Sequence, residues 1–200
     1  MNRVRSIVLP LGLLLVAVAT GCQSTAPLPP QAQQTLTSMR TAVASIRAET
    51  NSTFNSLQNL LNNRNNLDAN VRAYATELGR LTSSVEAARA KNEAQPPDEF
   101  FSSWRDDLRS INNSQIRAAG EQRFASARAG MDTLEVRIAD LRSDFKPLYS
   151  DMRDVATLLE RDPTAAGLNS VTPTIRRILS QRNALNSRFD AVQQQITRML

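Results

Sequence analysis

From Leu36 to Ala88 the apolar residues recur at alternating steps of three and four: Leu36, Met39, Val43, Ile46, Leu57, Leu60, Leu67, Val71, Tyr74, Leu78, Leu81, Val85 and Ala88. Within that rhythm only Thr50, Thr53 and Arg64 depart from an apolar choice. Such a seam covers one side of a helix and needs partner helices to cover it. Read without interruption, the run predicts one helix over about residues 31–93, with its seam alone roughly 80 Å long at 1.5 Å per residue. The cluster Asn62-Asn63-Arg64-Asn65-Asn66 is its weakest part, because asparagine is a mediocre helix former. Ala94-Gln95-Pro96-Pro97 then ends it, since the residue before a proline avoids the helical region.

A second helix is expected over about 98–161. Pro97 suits a first turn, and Asp98 and Glu99 suit the positive end of the helix dipole. One apolar register runs through Phe101, Trp104, Leu108 and Ile111, and another from Phe124 to Leu159. The two do not line up, so the polar stretch from Asn112 to Gly120 reads as a stutter, with a true break as the alternative. Pro147 lies inside the second register, which carries through it and predicts one bent helix. A corner over 162–171 and the pair Thr172-Pro173 place a third helix at about 173–199. Its seam has Arg182 as the one polar exception. The expected fold is all-α: an elongated antiparallel coiled-coil hairpin turning at Pro96-Pro97, with the shorter third helix on the half nearer the N-terminus. That geometry pairs Phe124 with Leu67 and Leu159 with Gln33.

The first residues change the setting. Arg3 and Arg5 precede the short apolar run Ile7–Val18, and Ala19-Thr20-Gly21 supplies small residues before Cys22. This is a secretory signal pattern, and its apolar run is too short to cross a bilayer. The stretch Ala19-Thr20-Gly21-Cys22 resembles the lipobox of bacterial lipoproteins, which implies removal of 1–21 and lipidation of Cys22. By the rule for that class, Gln23 rather than Asp after the cysteine implies the outer membrane, facing the periplasm. Residues 22–34 carry Pro27, Pro29 and Pro30 and read as a flexible tether. The domain proper is expected over 35–200.

Charge and composition narrow the chemistry. Loss of Arg3 and Arg5 lowers the formal charge from +5 to +3, and the remaining basic residues interleave with acids as on a solvated helix face. Nucleic acid is therefore not an expected partner. The chain has no histidine, and Cys22 is its sole cysteine, so imidazole and, once Cys22 is lipidated, thiol chemistry are absent. No Gly-rich phosphate loop or nucleophilic triad is present. The acid pairs Asp106-Asp107 and Glu160/Asp162 read as solvated or capping charges, because neighbouring helical residues point apart. No cofactor, metal or enzymatic activity is expected.

Phe100, Phe101 and Trp104 place three of the nine aromatics beside the Pro96-Pro97 corner. They form either a docking tip for a partner or the closure of a thin hairpin, and closure is the favoured reading. Arg64 and Arg182 either fix register or lay their stems over apolar neighbours with the charge outward, and the second reading is favoured.

Phe101–Trp104, Asn113-Ser114-Gln115-Ile116-Arg117, Glu121-Gln122, Pro147-Leu148 and Met152-Arg153-Asp154 resemble a family of bacterial lipoproteins known only as domain of unknown function two-nine-five-nine. The resemblance covers Phe101 to Leu159, implies a proline within a long helix, and brings no activity or ligand. The sequence thus points to a non-enzymatic, lipid-anchored coiled-coil protein of the cell envelope, a spacer or interaction scaffold held by Cys22. The alternative is a binding module that opens or self-associates around an apolar or envelope ligand. Any binding role is expected along Tyr74–Ala88 and the Phe100–Trp104 corner.

Overall fold

A computed structural model describes residues 28–94 and 97–200. The signal segment, Cys22 and the start of the tether lie outside these residues. The described chain is all-helical: α1 (Pro30–Asn62), α2 (Leu67–Ala94), α3 (Pro97–Ser110), α4 (Ser114–Arg161), α5 (Ala165–Ser180) and α6 (Arg182–Met199), with a short 3-10 turn at Arg64–Asn66.

Helix α1 starts at Pro30, inside the expected tether. Pro30 occupies the first turn, where a missing N–H costs nothing. The Gln33 side-chain amide also donates to the Leu28 carbonyl at 2.7 Å.

The expected 31–93 helix is two helices folded against each other. At Asn63 the backbone leaves the helical region (φ −121°, ψ 70°). The asparagines that looked merely unfavourable build the reversal. Asn70 donates from its amide to the Asn63 carbonyl at 2.6 Å, and Asn59 donates to the Asn70 amide oxygen at 2.9 Å. Short amide side chains compete with helical bonding by satisfying nearby backbone groups, and here they win. Ser45 and Ser84 consequently stand 3.2 Å apart across the α1–α2 hairpin.

The expected 98–161 helix also divides. Its true break is at Ile111–Asn113, the alternative the two registers had left open. The Asn113 side chain caps α4 by accepting from the Gln115 and Ile116 N–H groups at 3.0 and 3.1 Å. The absence of a side chain at Gly120 lets Leu108 of α3 approach α4 closely. Helix α4 then continues through Pro147 without interruption, as its apolar period predicts.

The third turn is shorter than expected. Thr164 caps α5 by accepting from the Gly167 N–H at 3.2 Å, so the helix begins eight residues before Pro173, which lies inside it. Burial of Leu168, Val171 and Ile175 holds this segment helical through the proline. A bend at Gln181 separates α5 from α6, and the Gln181 N–H is shared between the Ile178 and Leu179 carbonyls.

The result is a four-cornered up-down-up-down bundle rather than the expected long hairpin. Helices α1, α2, α4 and the α5–α6 arm are the corners, and each packs on its two neighbours. The far end carries the 63–66 and 162–164 turns and is densely filled by Phe54, Leu57, Leu60, Met152, Leu159 and Ile175. The foot, where α1 begins, also receives the C-terminus of α6. Leu67 therefore opens α2 at the far end while Phe124 lies near the foot, so the expected pairing of the two does not occur. The reason is topological: one extra reversal at 63–66 folds the first long helix into two, adds a fourth corner and shortens the molecule.

Candidate functional site

In the half of the bundle nearer the foot, three of the four corners close on each other. Leu36, Met131, Leu134, Val192 and Ile196 fill the space between α1, α4 and α6. Helix α2 is bonded to α4 at two points. There the Tyr74 hydroxyl donates to the Met152 carbonyl at 2.6 Å, and the Thr82 and Tyr149 hydroxyls share a bond of 2.7 Å. Beyond Thr82 a cavity of about 830 Å³ opens between α1, α2 and α4, with Phe189 of α6 at its side. That volume falls within the range of small-molecule sites.

Its composition follows from helical spacing. Met39, Ala42, Val43 and Ile46 present two adjacent stripes of α1. Val85 and Ala88 come from α2, and Ile138, Leu141 and Phe145 from α4. Met39, Val43, Ile46, Val85, Ile138 and Phe145 are only half-buried, although all are seam residues by their spacing. Ala42 and Ala88 contribute to this: both line the cavity, and each leaves room that a leucine would fill. Phe145 stacks on Tyr149 and meets Phe189 edge-on, with centroids 5.6 and 6.5 Å apart, closing the cavity toward the far end.

The rim is cationic. Arg89, Lys91 and Arg142 line the opening and are exposed, while Gln34, Thr35 and Ser38 supply neutral polar groups on the α1 side. Among the described residues no carboxylate lines the cavity. Among the described residues no cluster of three or more His, Cys, Asp or Glu side chains could hold a metal, and no helix is long and apolar enough to cross a membrane. Burial raises the Tyr74 phenol far above its ordinary value, keeping it a neutral donor.

The residues singled out from sequence fall in three places. Cys22 lies outside the described residues. Phe100, Phe101 and Trp104 come together with Phe124 of α4: Phe101 and Trp104 lie 5.8 and 5.3 Å from it, and the Arg128 guanidinium sits 5.3 Å over Phe101. Phe101 is buried and the other two are half-buried, so the cluster holds α3 on α4. It lies at the foot, where α3 touches α1, and not at an end remote from the tether. Of the region Tyr74–Ala88, Tyr74 is a core clamp, and Val85 and Ala88 line the cavity. The acids Asp106, Asp107, Glu160 and Asp162 are exposed.

Sequence reasoning did not single out Lys91 and Arg142, reading them with the solvated charges. A signal was available, since neither has an acid three or four residues away, so helix-face pairing does not account for them. No family model, curated protein or solved structure matches the chain.

Proposed function

We propose that this chain is a non-enzymatic lipoprotein of the cell envelope, anchored through Cys22, whose helical bundle binds an apolar ligand between α1, α2 and α4. The observation that carries the reading is the cavity, about 830 Å³ and walled by apolar side chains from four helices. In a protein that served only as a spacer, those side chains would be expected to close on each other as they do at the far end, because burying apolar surface is favourable by about 25 cal/mol per Å². Bundles commonly build ligand sites between facing helices. Anchoring at Cys22 and the outer-membrane assignment rest on the N-terminal residues alone.

The test is binding of an environment-sensitive apolar dye to the wild-type protein and to Ala42→Trp, which sets a bulky ring into the cavity from the α1 wall. Saturable binding at one site, lost in the variant while its helical content is kept, is the expected outcome. Unsaturable binding, or binding indifferent to Ala42→Trp, would sink the reading and return the protein to the class of spacers and scaffolds.

A further inference from the structure

We infer that the ligand is a single-chain amphiphile with an anionic head, its acyl chain between α1 and α4 and its head held by Lys91 and Arg142. The inference rests on the binding role proposed above and adds a ligand class to it. Two features set the class. The interior is lined by Met39, Val43, Ile138 and Phe145 and offers no buried carboxylate or amide to hold a polar body, which suits a hydrocarbon chain and little else. The rim joins Lys91 from α2 to Arg142 from α4, on the two helices that part to form the opening, with no acid lining the cavity. Neither of these two residues forms an ion pair with another described residue. In a chain where most arginine contacts are to nearby aspartates and glutamates, two unneutralised cations beside an apolar opening complement a carboxylate or a phosphate monoester.

The length is consistent. The α1 wall runs from Gln34 to Ile46, about 18 Å at 1.5 Å per residue, along which an extended chain can lie. Each methylene placed in it should tighten binding about fourfold until the slot is filled.

The experiment uses the full chain in its own membranes, labelled with a photoreactive long-chain fatty acid and mapped by mass spectrometry of the peptides. Labelling is expected on peptides containing Met39, Val43 or Ile138, with competition by an unlabelled long-chain carboxylate or a monoacyl glycerophosphate at least tenfold better than by the alcohol of equal length. The carboxylate and phosphate arms distinguish a free fatty acid from a lysophospholipid as source. Lys91→Gln with Arg142→Gln should erase that preference, and Lys91→Arg with Arg142→Lys should keep it. If the alcohol competes as well as the acid, the anionic class is wrong and the apolar cavity stands. If neither the acid nor a photoreactive alcohol labels these peptides, the binding role falls with it.

Discussion

At the scale of single residues, the core is held by groups whose partners can be named, and Tyr74 is the clearest. Its hydroxyl reaches the Met152 carbonyl from a fully buried position. Tyr74→Phe should destabilise by about 1 kcal/mol, the net value of such a bond. It should also change the alkaline limb of stability. An unfolded tyrosine ionises near pH 10, whereas burial raises the folded phenol well above that. Below about pH 10 both states are neutral and Tyr74 contributes no pH dependence. Above it the unfolded state loses its proton first, so stability falls as pH rises, by up to about 1.4 kcal/mol per pH unit. Urea midpoints at neutral and strongly alkaline pH should show this loss in the wild type and a smaller one in Tyr74→Phe. Two glycines give opposite signs. A Cβ at Gly167 would collide with the Asp162 carbonyl oxygen, whereas one at Gly79 meets nothing. Gly167→Ala should lower the thermal midpoint, at a cost of about 1–3 kcal/mol. Gly79→Ala, inside α2, should raise it through helix propensity by up to about 1 kcal/mol. The buried threonines Thr50 and Thr53 show why a seam tolerates hydroxyls: each bonds a carbonyl of its own helix, Ile46 and Glu49, at 2.6 and 2.8 Å.

Among elements, the apolar periodicity read the helical content and nearly all the core positions, because a buried stripe needs an apolar residue every three or four steps whatever it packs against. It could not distinguish a long helix from two that reverse, since the seam keeps its rhythm across a tight turn. The polar exceptions carried that information. Arg64 sits in the 63–66 turn, bonded to the Asn169 amide oxygen at 3.0 Å. Arg182 sits just past the bend between α5 and α6, with its guanidinium 5.7 Å over the Phe54 ring. Both stand at seam positions, and both mark junctions. The cavity was illegible for a related reason: an apolar residue beside a void has the same letter as one in a filled core. The α1–α6 contact is fixed by a reciprocal amide pair, Asn51 with Asn186 at 3.1 Å in each direction, beside an Arg47–Asp190 ion pair at 2.7 Å. Asn51→Leu or Asn186→Leu alone removes both bonds of the pair, leaving Asn186 only the Arg47 donor or Asn51 only the Arg47 carbonyl, and should cost about 1–3 kcal/mol. The double substitution should cost less than the sum, a coupling that a double-mutant cycle in urea would measure.

For the molecule as a whole, the extra reversal is directly testable. Ser45→Cys with Ser84→Cys should form an intramolecular disulfide, because the two hydroxyls lie 3.2 Å apart. In one uninterrupted helix these positions would be almost 60 Å apart at 1.5 Å per residue. Failure to cross-link under oxidising conditions would reinstate the rod. The bundle can also be seen as two hairpins, α1–α2 and α4–α5–α6, joined along two seams. The α1–α6 seam is bolted by amides and an ion pair, while the α2–α4 seam is bonded at Tyr74 to Met152 and at Thr82 to Tyr149. The second seam is also where the cavity opens. Parting the hairpins there is the motion that would admit or release an occupant. An occupied protein should accordingly unfold more slowly, with amide hydrogen exchange in α2 beyond Val85 the first to slow.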